Sequence, residues 1–175
     1  FTDYYSYKLM LKYQVIGVED YITVLNEKVV IPHYKDPLNQ VPNSELTTEN
    51  YWSNYSTYAL LPYHRGLLYA FWLDNKIKEK HDHKQSLDNV MFDILKMARN
   101  DSNMRLNQEV FLEVMGSYLE THSVLHDYEN YILKGNLIDF SENLPKGLSI
   151  EIKDNIPIFS ITSGDLEQLG LYLKR

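Results

Sequence analysis

The sequence predicts a mainly α-helical fold with one small β-hairpin near the C-terminus. Apolar residues recur at intervals of three and four over much of the chain, which is the spacing of amphipathic helices. Good capping residues precede several of these stretches. Near the C-terminus the period changes to two, in residues 149–152 and 156–161, on either side of the turn-forming residues 153–155. This alternation around a short polar segment is typical of a hairpin.

The central helix is predicted by residues 61–74. Pro62 suits a first helical turn, because its missing N–H would have no partner there. An almost unbroken apolar run follows, and a helix that is apolar nearly all round is buried. The polar residues 63–65 lie in the first turn, where a helix meets solvent or a cleft. Gly66 costs about 1 kcal/mol relative to alanine, so we expect it to mark close packing against another backbone or a ligand.

The other helices are predicted from the same spacing and from their caps. We expect Thr2 to cap the first helix, Gly17 to end it and Gly170 to end the last. Three prolines between residues 32 and 42 exclude a long helix there. Polar residues at 45–58 favour short helical turns. The predicted helices span residues 2–13, 18–30, 62–80, 86–98, 107–118 and 124–133, with shorter pieces at 138–144 and 165–169.

Composition limits the possible functions. The 175 residues fit one domain, residues 1–175, and an apolar fraction of 44% is enough for a core. The net charge of −7 argues against a nucleic-acid or anionic-membrane surface. The absence of cysteine excludes disulfides and thiolate metal sites. No apolar run approaches the roughly 20 residues of a membrane helix, so we expect a soluble chain, either cytoplasmic or periplasmic.

No metal site is predicted from the residues. His122 and His126 could share a helix face, but zinc sites use about three or four ligands. The zincin motif also needs a Glu directly after the first His, where this chain has Ser123. His81 and His83 lie in a polar connector. Solvated positions are the simpler interpretation of both pairs.

Fifteen tyrosines are unusual for this length, and they cluster at residues 4–13 and 51–69. Tyrosine combines an apolar body with a polar tip, which suits the half-buried wall of a cleft. A compositional bias of the lineage explains the number equally well. From the residues alone, the sequence predicts a helical domain with a tyrosine-lined, acidic surface and no complete active site.

Several stretches resemble the glycyl aminopeptidase family of zinc metallopeptidases. F-T-D-Y-Y-S-Y-K-L-M-L (residues 1–11) is similar to the segment that follows the third zinc ligand, the Glu of the family's E-G-[FL]-T-x-Y-Y run. P-Y-H-R-G-L-L-Y-A-F-W-L-D (residues 62–74) resembles Y-x-[KR]-G-x-L-x-A-x-x-L-D. S-L-D-N-V-M (residues 86–91) resembles S-L-D-D-V-[ML]. Further similarities are S-E-L-T-T-E-N-Y-W at 44–52 and shorter landmarks at 131–135 and 147–148.

The resemblance implies the bundle-like, C-terminal helical part of a thermolysin-like catalytic domain. The H-E-x-x-H ligands, the general-base Glu and the third ligand would lie upstream, so zinc is expected in the full-length parent and not in this chain. The implied catalytic residue is Tyr63, whose counterpart in related enzymes donates a hydrogen bond to the oxyanion. Gly66 and Arg65 are implied to contact substrate, although Arg65 could instead orient a loop or form a surface ion pair. Tyr4 and Tyr5 would pack behind the third ligand.

Two functions are therefore considered. The first is a fragment of an aminopeptidase that removes small N-terminal residues, Gly or Ala, from peptides and is inactive without its upstream half. The second is a non-catalytic helical module that binds a peptide or protein, with residues 51–58 and Tyr63 lining a groove. A peptide is the expected partner, and nucleic acid and membranes are not. A face that was buried in the parent would be exposed here, so we expect a homodimer through the exposed cleft face.

Overall fold

The computed structural model describes residues 1–101, 103–162 and 164–175, without the side chains of residues 56 and 57. Its described part is mainly helical, with one two-stranded antiparallel sheet near the C-terminus, and so confirms the predicted class. The helices are α1 (Thr2–Lys12), α2 (Val18–Val24), α3 (Ile31–Lys35), α4 (Thr48–Ser53), α5 (Tyr55–Tyr58), α6 (Leu61–Lys80), α7 (Leu87–Asn100), α8 (Gln108–Tyr118), α9 (Thr121–Tyr128) and α10 (Leu166–Leu173). Leu25–Val30 and Glu129–Leu133 are π-helical, Asn43–Glu45 is a 3₁₀ turn, and the strands are β1 (Leu148–Lys153) and β2 (Ile156–Ile161).

The central helix α6 forms the core of the molecule, as predicted. Every side chain from residue 67 to residue 73 is buried. Helices α1, α3 and α7 and both π-helical segments pack around it. No helix in the described ranges is long and apolar enough to cross a membrane.

A buried network of charged and polar groups connects α1, α6 and α7. The Asp74 carboxylate accepts hydrogen bonds from the Tyr4 hydroxyl at 2.6 Å and from the Leu87 backbone N–H at 2.7 Å. Lys78 lies 2.6 Å from the same carboxylate and Lys8 lies 3.7 Å from it. Burial alone would raise the pKa of Asp74, but Lys78 and Lys8 outweigh burial and hold this pKa below its usual range. Removing one partner would leave a buried charge without compensation.

The second helical run extends beyond its predicted end at residue 30. Helix α2, the π-helical segment and α3 follow one another without interruption to Lys35. In the π-helical segment the Ile31 N–H donates to the carbonyl of Asn26, five residues back. This wider turn directly precedes Pro32, whose ring would otherwise clash with a carbonyl of the preceding turn. The sequence predicts an irregular segment from residue 33, which was wrong for residues 33–35, although no long helix forms between the prolines at residues 32 and 42.

Residues 138–144 form no helix, which corrects another prediction. Ile138 and Phe140 are buried while the residues between and after them are exposed, as in an extended segment. The Ile138 carbonyl accepts a hydrogen bond from the Tyr34 hydroxyl at 2.8 Å. Tertiary contacts, rather than helical periodicity, place the apolar residues of this stretch.

Three residues that were predicted to begin or end a helix have other roles. Thr2 does not cap α1, since Phe1 takes the N-cap position. Gly17 begins α2 instead of ending α1, and its N–H donates to the Asp20 carboxylate at 3.1 Å. Gly170 lies inside α10 instead of ending it. A Cβ at Gly170 would lie 3.0 Å from Cγ2 of Val18, so the glycine allows α10 to pack closely on α2.

The C-terminal hairpin agrees with its prediction. Strands β1 and β2 pair antiparallel, and Lys153 lies opposite Ile156. Asp154 and Asn155 both have positive φ, 52° and 63°, as a two-residue turn of type I′ requires. The Asn26 side chain bonds the backbone N–H and carbonyl of Phe159, at 3.0 and 2.8 Å, and so attaches the hairpin to the first π-helical segment.

Candidate active site

Tyr63 lies in the first turn of α6, and 53% of its surface is exposed. It lines a cleft of 310 Å³ together with residues 1–3, Tyr51 and Pro62. The backbone of Tyr63 belongs to a helix whose next turns are buried, so a rigid element positions the phenol. We refer to this space as the tyrosine cleft.

Gly66 marks the close approach of another backbone, as its position inside an apolar helix predicts. A Cβ at this position would lie 3.4 Å from the backbone nitrogen of Phe1. The Phe1 ring also packs edge-on against Phe111 and Tyr69, with centroid distances of 5.4 and 6.4 Å. Phe1 is thus held against α6 beside the tyrosine cleft. Contact of Gly66 with a substrate stays a prediction.

Arg65 is 5% exposed and holds a loop in place. Its Nη2 donates to the carbonyls of Asn39 and Val41, at 3.1 and 2.7 Å, and its Nη1 donates to Oδ1 of Asn43 at 3.1 Å. Burial lowers the pKa of the guanidinium. These contacts favour the loop-orienting role among the alternatives considered, while contact with substrate stays a prediction.

The partners of Arg65 could not be found from the sequence. They come from residues 39–43, where no periodicity indicates which groups point inward. Gly135 also contributes, because a Cβ there would lie 2.8 Å from Nη2 of Arg65 and 2.7 Å from the Val41 carbonyl. The positive φ of Gly135, 76°, fits the predicted helix end, but the close approach to Arg65 had no signal in the sequence.

Tyr4 and Tyr5 lie on α1 in different surroundings. Tyr4 is 3% exposed and belongs to the Asp74 network. The Tyr5 hydroxyl is buried and has no hydrogen-bond partner among the described residues. Burial raises the pKa of both hydroxyls, and nearby carboxylates add to the effect. Both are therefore neutral packing groups in this chain, and their place behind a zinc ligand stays a prediction.

A larger, mainly apolar cavity adjoins the tyrosine cleft. It has a volume of 590 Å³ and shares Phe1 and Pro62 with the cleft. Its walls come mainly from α6, α7, α8, the end of α9 and the second π-helical segment. Because these elements are distributed along the sequence, no local pattern predicts the cavity. Its main apolar lining residues are Tyr69, Met91, Ile94, Phe111, Tyr128 and Ile132.

An exposed aromatic cluster, formed by Tyr51, Trp52 and Tyr55, lies on α4 and α5. Trp52 is 65% exposed and Tyr55 is 52% exposed. Their rings stack at 5.5 Å with an angle of 14°, and the Tyr51 ring packs edge-on against both. Tyr51 also lines the tyrosine cleft. Exposed aromatic groups of this kind are typical of interaction surfaces.

The histidines do not assemble a metal site in the part of the chain that the structure describes. There, no three His, Cys, Asp or Glu side chains come together to hold a metal ion. His126 lies 3.1 Å from the amide nitrogen of Asn130, and His81 lies 2.8 Å from the carbonyl of Tyr118. The resemblance places the zinc ligands upstream of this chain, and that placement stays a prediction.

Comparison with known proteins identifies no family for this chain. No protein-family model matches the chain, and no curated protein matches it significantly. The resemblance to glycyl aminopeptidases thus depends on the quoted motifs and on their order along the chain.

Proposed function

We propose that this chain is the C-terminal helical part of a zinc-dependent aminopeptidase of the glycyl aminopeptidase type. The observation that supports the proposal is that half-exposed Tyr63 shares a cleft with residues 1–3. In the resemblance, an E-G pair directly precedes the residue that matches Phe1, and the Glu of that pair is the third zinc ligand. A chain that enters at Phe1 would bring this ligand close to Tyr63. An oxyanion donor has to lie in such a place, near the group that polarises the carbonyl.

The role of Tyr63 would be to stabilise charge that develops in the transition state. A phenol at the start of a buried helix is held by a rigid element, so its O–H needs little reorganisation when the oxyanion forms. The zinc ligands would have to come from residues outside this chain. The isolated chain would supply the tyrosine and a wall of the substrate cleft and would be inactive. The joined enzyme would act on peptides with small N-terminal residues, Gly or Ala.

A peptide-binding module without catalysis is the second candidate. The aromatic cluster favours it, because Trp52 and Tyr55 expose about half or more of their surfaces beside the same cleft. Rigid aromatic side chains supply contact area at a low cost in conformational entropy. In this alternative Tyr63 would be one more contact residue rather than a hydrogen-bond donor to an oxyanion.

The first test is the sequence that precedes Phe1 in the gene. An H-E-x-x-H motif about 20 residues before an E-G pair that adjoins Phe1 would support the enzyme. In the corresponding full-length protein, Tyr63→Phe should lower kcat for an alanyl or glycyl peptide about 10²–10³-fold, with a small change in KM, because one oxyanion donor is lost. Tyr13→Phe is the matched control, since Tyr13 is 73% exposed and lies outside the cleft.

Two other results would lead to different conclusions. If Tyr63→Phe keeps full activity, Tyr63 is not the oxyanion donor. If no H-E-x-x-H precedes the chain, and Trp52→Ala abolishes binding of a peptide that Tyr63→Phe still binds, the function is peptide recognition by the aromatic cluster.

A further inference from the structure

The 590 Å³ cavity contains a buried cation without a counter-ion. Arg65 lines the cavity and is 5% exposed. No carboxylate of the described residues lies within 4.0 Å of its nitrogens. Burial lowers its pKa, and no neighbouring carboxylate offsets the effect. A buried charge is unfavourable unless it is paired, so an anion in this cavity would be stabilised.

The guanidinium also has capacity for further hydrogen bonds. An arginine side chain carries five N–H donors. Three of them are used by Asn39, Val41 and Asn43, which leaves the Nε–H and one Nη1–H. A carboxylate is the group that best matches the guanidinium in charge and planar geometry.

A second polar group at the cavity lacks a partner. Tyr69 lines the cavity and is 1% exposed, and its hydroxyl has no hydrogen-bond partner among the described residues. Buried hydroxyls are normally hydrogen-bonded. Its burial, which raises its pKa, keeps it neutral and able to donate. The hydroxyl oxygen itself has almost no accessible surface, so the rest of the Tyr69 side chain lines the cavity and the choice of ligand depends on Arg65.

The rest of the cavity wall indicates the chemistry of the part of the ligand that does not contact Arg65. Met91, Ile94, Phe111 and Ile132 present apolar surface, and the volume lies within the range of about 300–1,000 Å³ that is usual for small-molecule sites. We propose that the cavity binds a small monocarboxylic acid with an apolar tail, with its carboxylate on Arg65 and its tail against these four side chains. The cavity shares Phe1 and Pro62 with the tyrosine cleft, but this proposal does not depend on the catalytic role proposed for Tyr63.

The test compares two probes that differ only in their polar end, decanoate below its micelle-forming concentration and decan-1-ol below its solubility limit. The Trp52→Phe variant leaves Trp72 as the remaining tryptophan of the two. Trp72 stacks on Tyr69, with ring centroids 6.0 Å apart, so its fluorescence reports on the cavity. Titration calorimetry on the unmodified chain checks the affinities.

We expect decanoate to bind at least about tenfold more tightly than decan-1-ol, since a charge-assisted hydrogen bond contributes at least that much. Arg65→Met should remove this preference while decan-1-ol still binds. Because Arg65 also holds residues 39–43, the variant's circular dichroism and melting temperature are measured first. Ile132→Phe, which narrows the cavity, should weaken both probes about tenfold or more. Leu133→Phe is its control, since Leu133 is its neighbour but lies outside the cavity.

Three results would overturn the proposal. Equal affinity for decanoate and decan-1-ol would show that the cavity is merely apolar and that Arg65 serves the loop alone. The absence of binding by either probe in the unmodified chain, or unchanged binding in Ile132→Phe, would show that no ligand enters the cavity.

Discussion

At the scale of single residues, the start of α6 combines three different roles within four residues. Tyr63 faces the tyrosine cleft, Arg65 holds a loop, and Gly66 leaves room for the backbone of Phe1. His64 is half-buried, and its ring lies 6.3 Å from that of His33. Burial, followed by the charges of the neighbouring histidine and arginine, lowers the pKa of His33.

We expect His33 to make stability depend on pH. His33 is 5% exposed, and burial, followed by the charges of His64 and Arg65, lowers its pKa from 6.5 to about 4. The unfolded chain binds the proton more tightly than the folded chain does. The stabilisation is therefore complete above pH 6.5 and is lost as the pH falls from 6.5 towards 4. At 1.36 kcal/mol per pKa unit, the full effect is about 3 kcal/mol.

Urea unfolding at pH 7.5 and at pH 4.5 measures this effect. When the pH falls from 7.5 to 4.5, the free energy of unfolding should decrease by about 2–3 kcal/mol less in His33→Phe than in the unmodified chain. His122→Gln is the control, because His122 is exposed and should leave the loss unchanged. An equal loss in His33→Phe and in the unmodified chain would mean that His33 does not titrate in this range.

Single residues differ in how well the sequence predicts them. Gly66 was predictable, because a glycine inside an apolar helix is unfavourable unless something packs against it. The network of Asp74 was not predictable. Its partners Tyr4, Lys78 and Leu87 come from three helices, and only the packing of α1 and α7 on α6 brings them together.

At the scale of helices and strands, local signals predict an element when they agree with its tertiary contacts. Helix α8 begins after Asn107, whose side chain accepts a hydrogen bond from the Val110 N–H at 2.9 Å, as predicted from a good cap. Before α7, the Ser86 N–H donates to Asn89 at 3.0 Å. Prediction failed at two places where tertiary contacts dominate. The helical run continues past Pro32, and residues 138–144 form an extended segment instead of a helix.

We expect the contact of α10 with α2 to depend on Gly170. In Gly170→Val, the new Cβ would lie 3.0 Å from Cγ2 of Val18, and its added methyls would overfill the contact. Overpacking of this kind costs about 1–3 kcal/mol. Thermal unfolding should show this loss, and the second substitution Val18→Ala should recover much of it.

Leu171→Val is the matched control for Gly170→Val. It places valine at the next position of the same helix, where the leucine side chain is 59% exposed. The variant therefore measures the effect of valine on helix stability without the steric contact with Val18. If Leu171→Val destabilises the chain as much as Gly170→Val does, or if Val18→Ala gives no recovery, the close packing of the two helices is not the cause.

At the scale of the whole molecule, the network of Asp74 and the arrangement of the cavities follow from the same central helix. Lys78 of α6 bonds Asp74 and also donates to the Tyr172 carbonyl of α10 at 2.9 Å, so it connects the C-terminal helix to the core. At its other end, α6 supplies Tyr63 to the cleft and Arg65 to the larger cavity. The stabilising network of Asp74 and the candidate sites thus lie towards opposite ends of one helix.

The surface beside the tyrosine cleft is the most apolar exposed region of α4 to α6. Trp52, Tyr55, Leu60 and Tyr63 are each at least 52% exposed. Apolar side chains that are gathered in this way favour association. The net charge of −7 opposes it, because two copies of the chain repel each other.

We therefore expect a weak homodimer through this face, and one that salt strengthens by screening the repulsion. Sedimentation velocity over a concentration series should show the dimer at high concentration, with more of it at high ionic strength. Trp52→Ser should shift the population to monomer because it removes the largest exposed apolar side chain of the face. Phe92→Ser, which removes a 59% exposed aromatic ring from α7, should leave the population unchanged. A monomer at every concentration and ionic strength would contradict the dimer, and equal effects of the two variants would place its interface elsewhere.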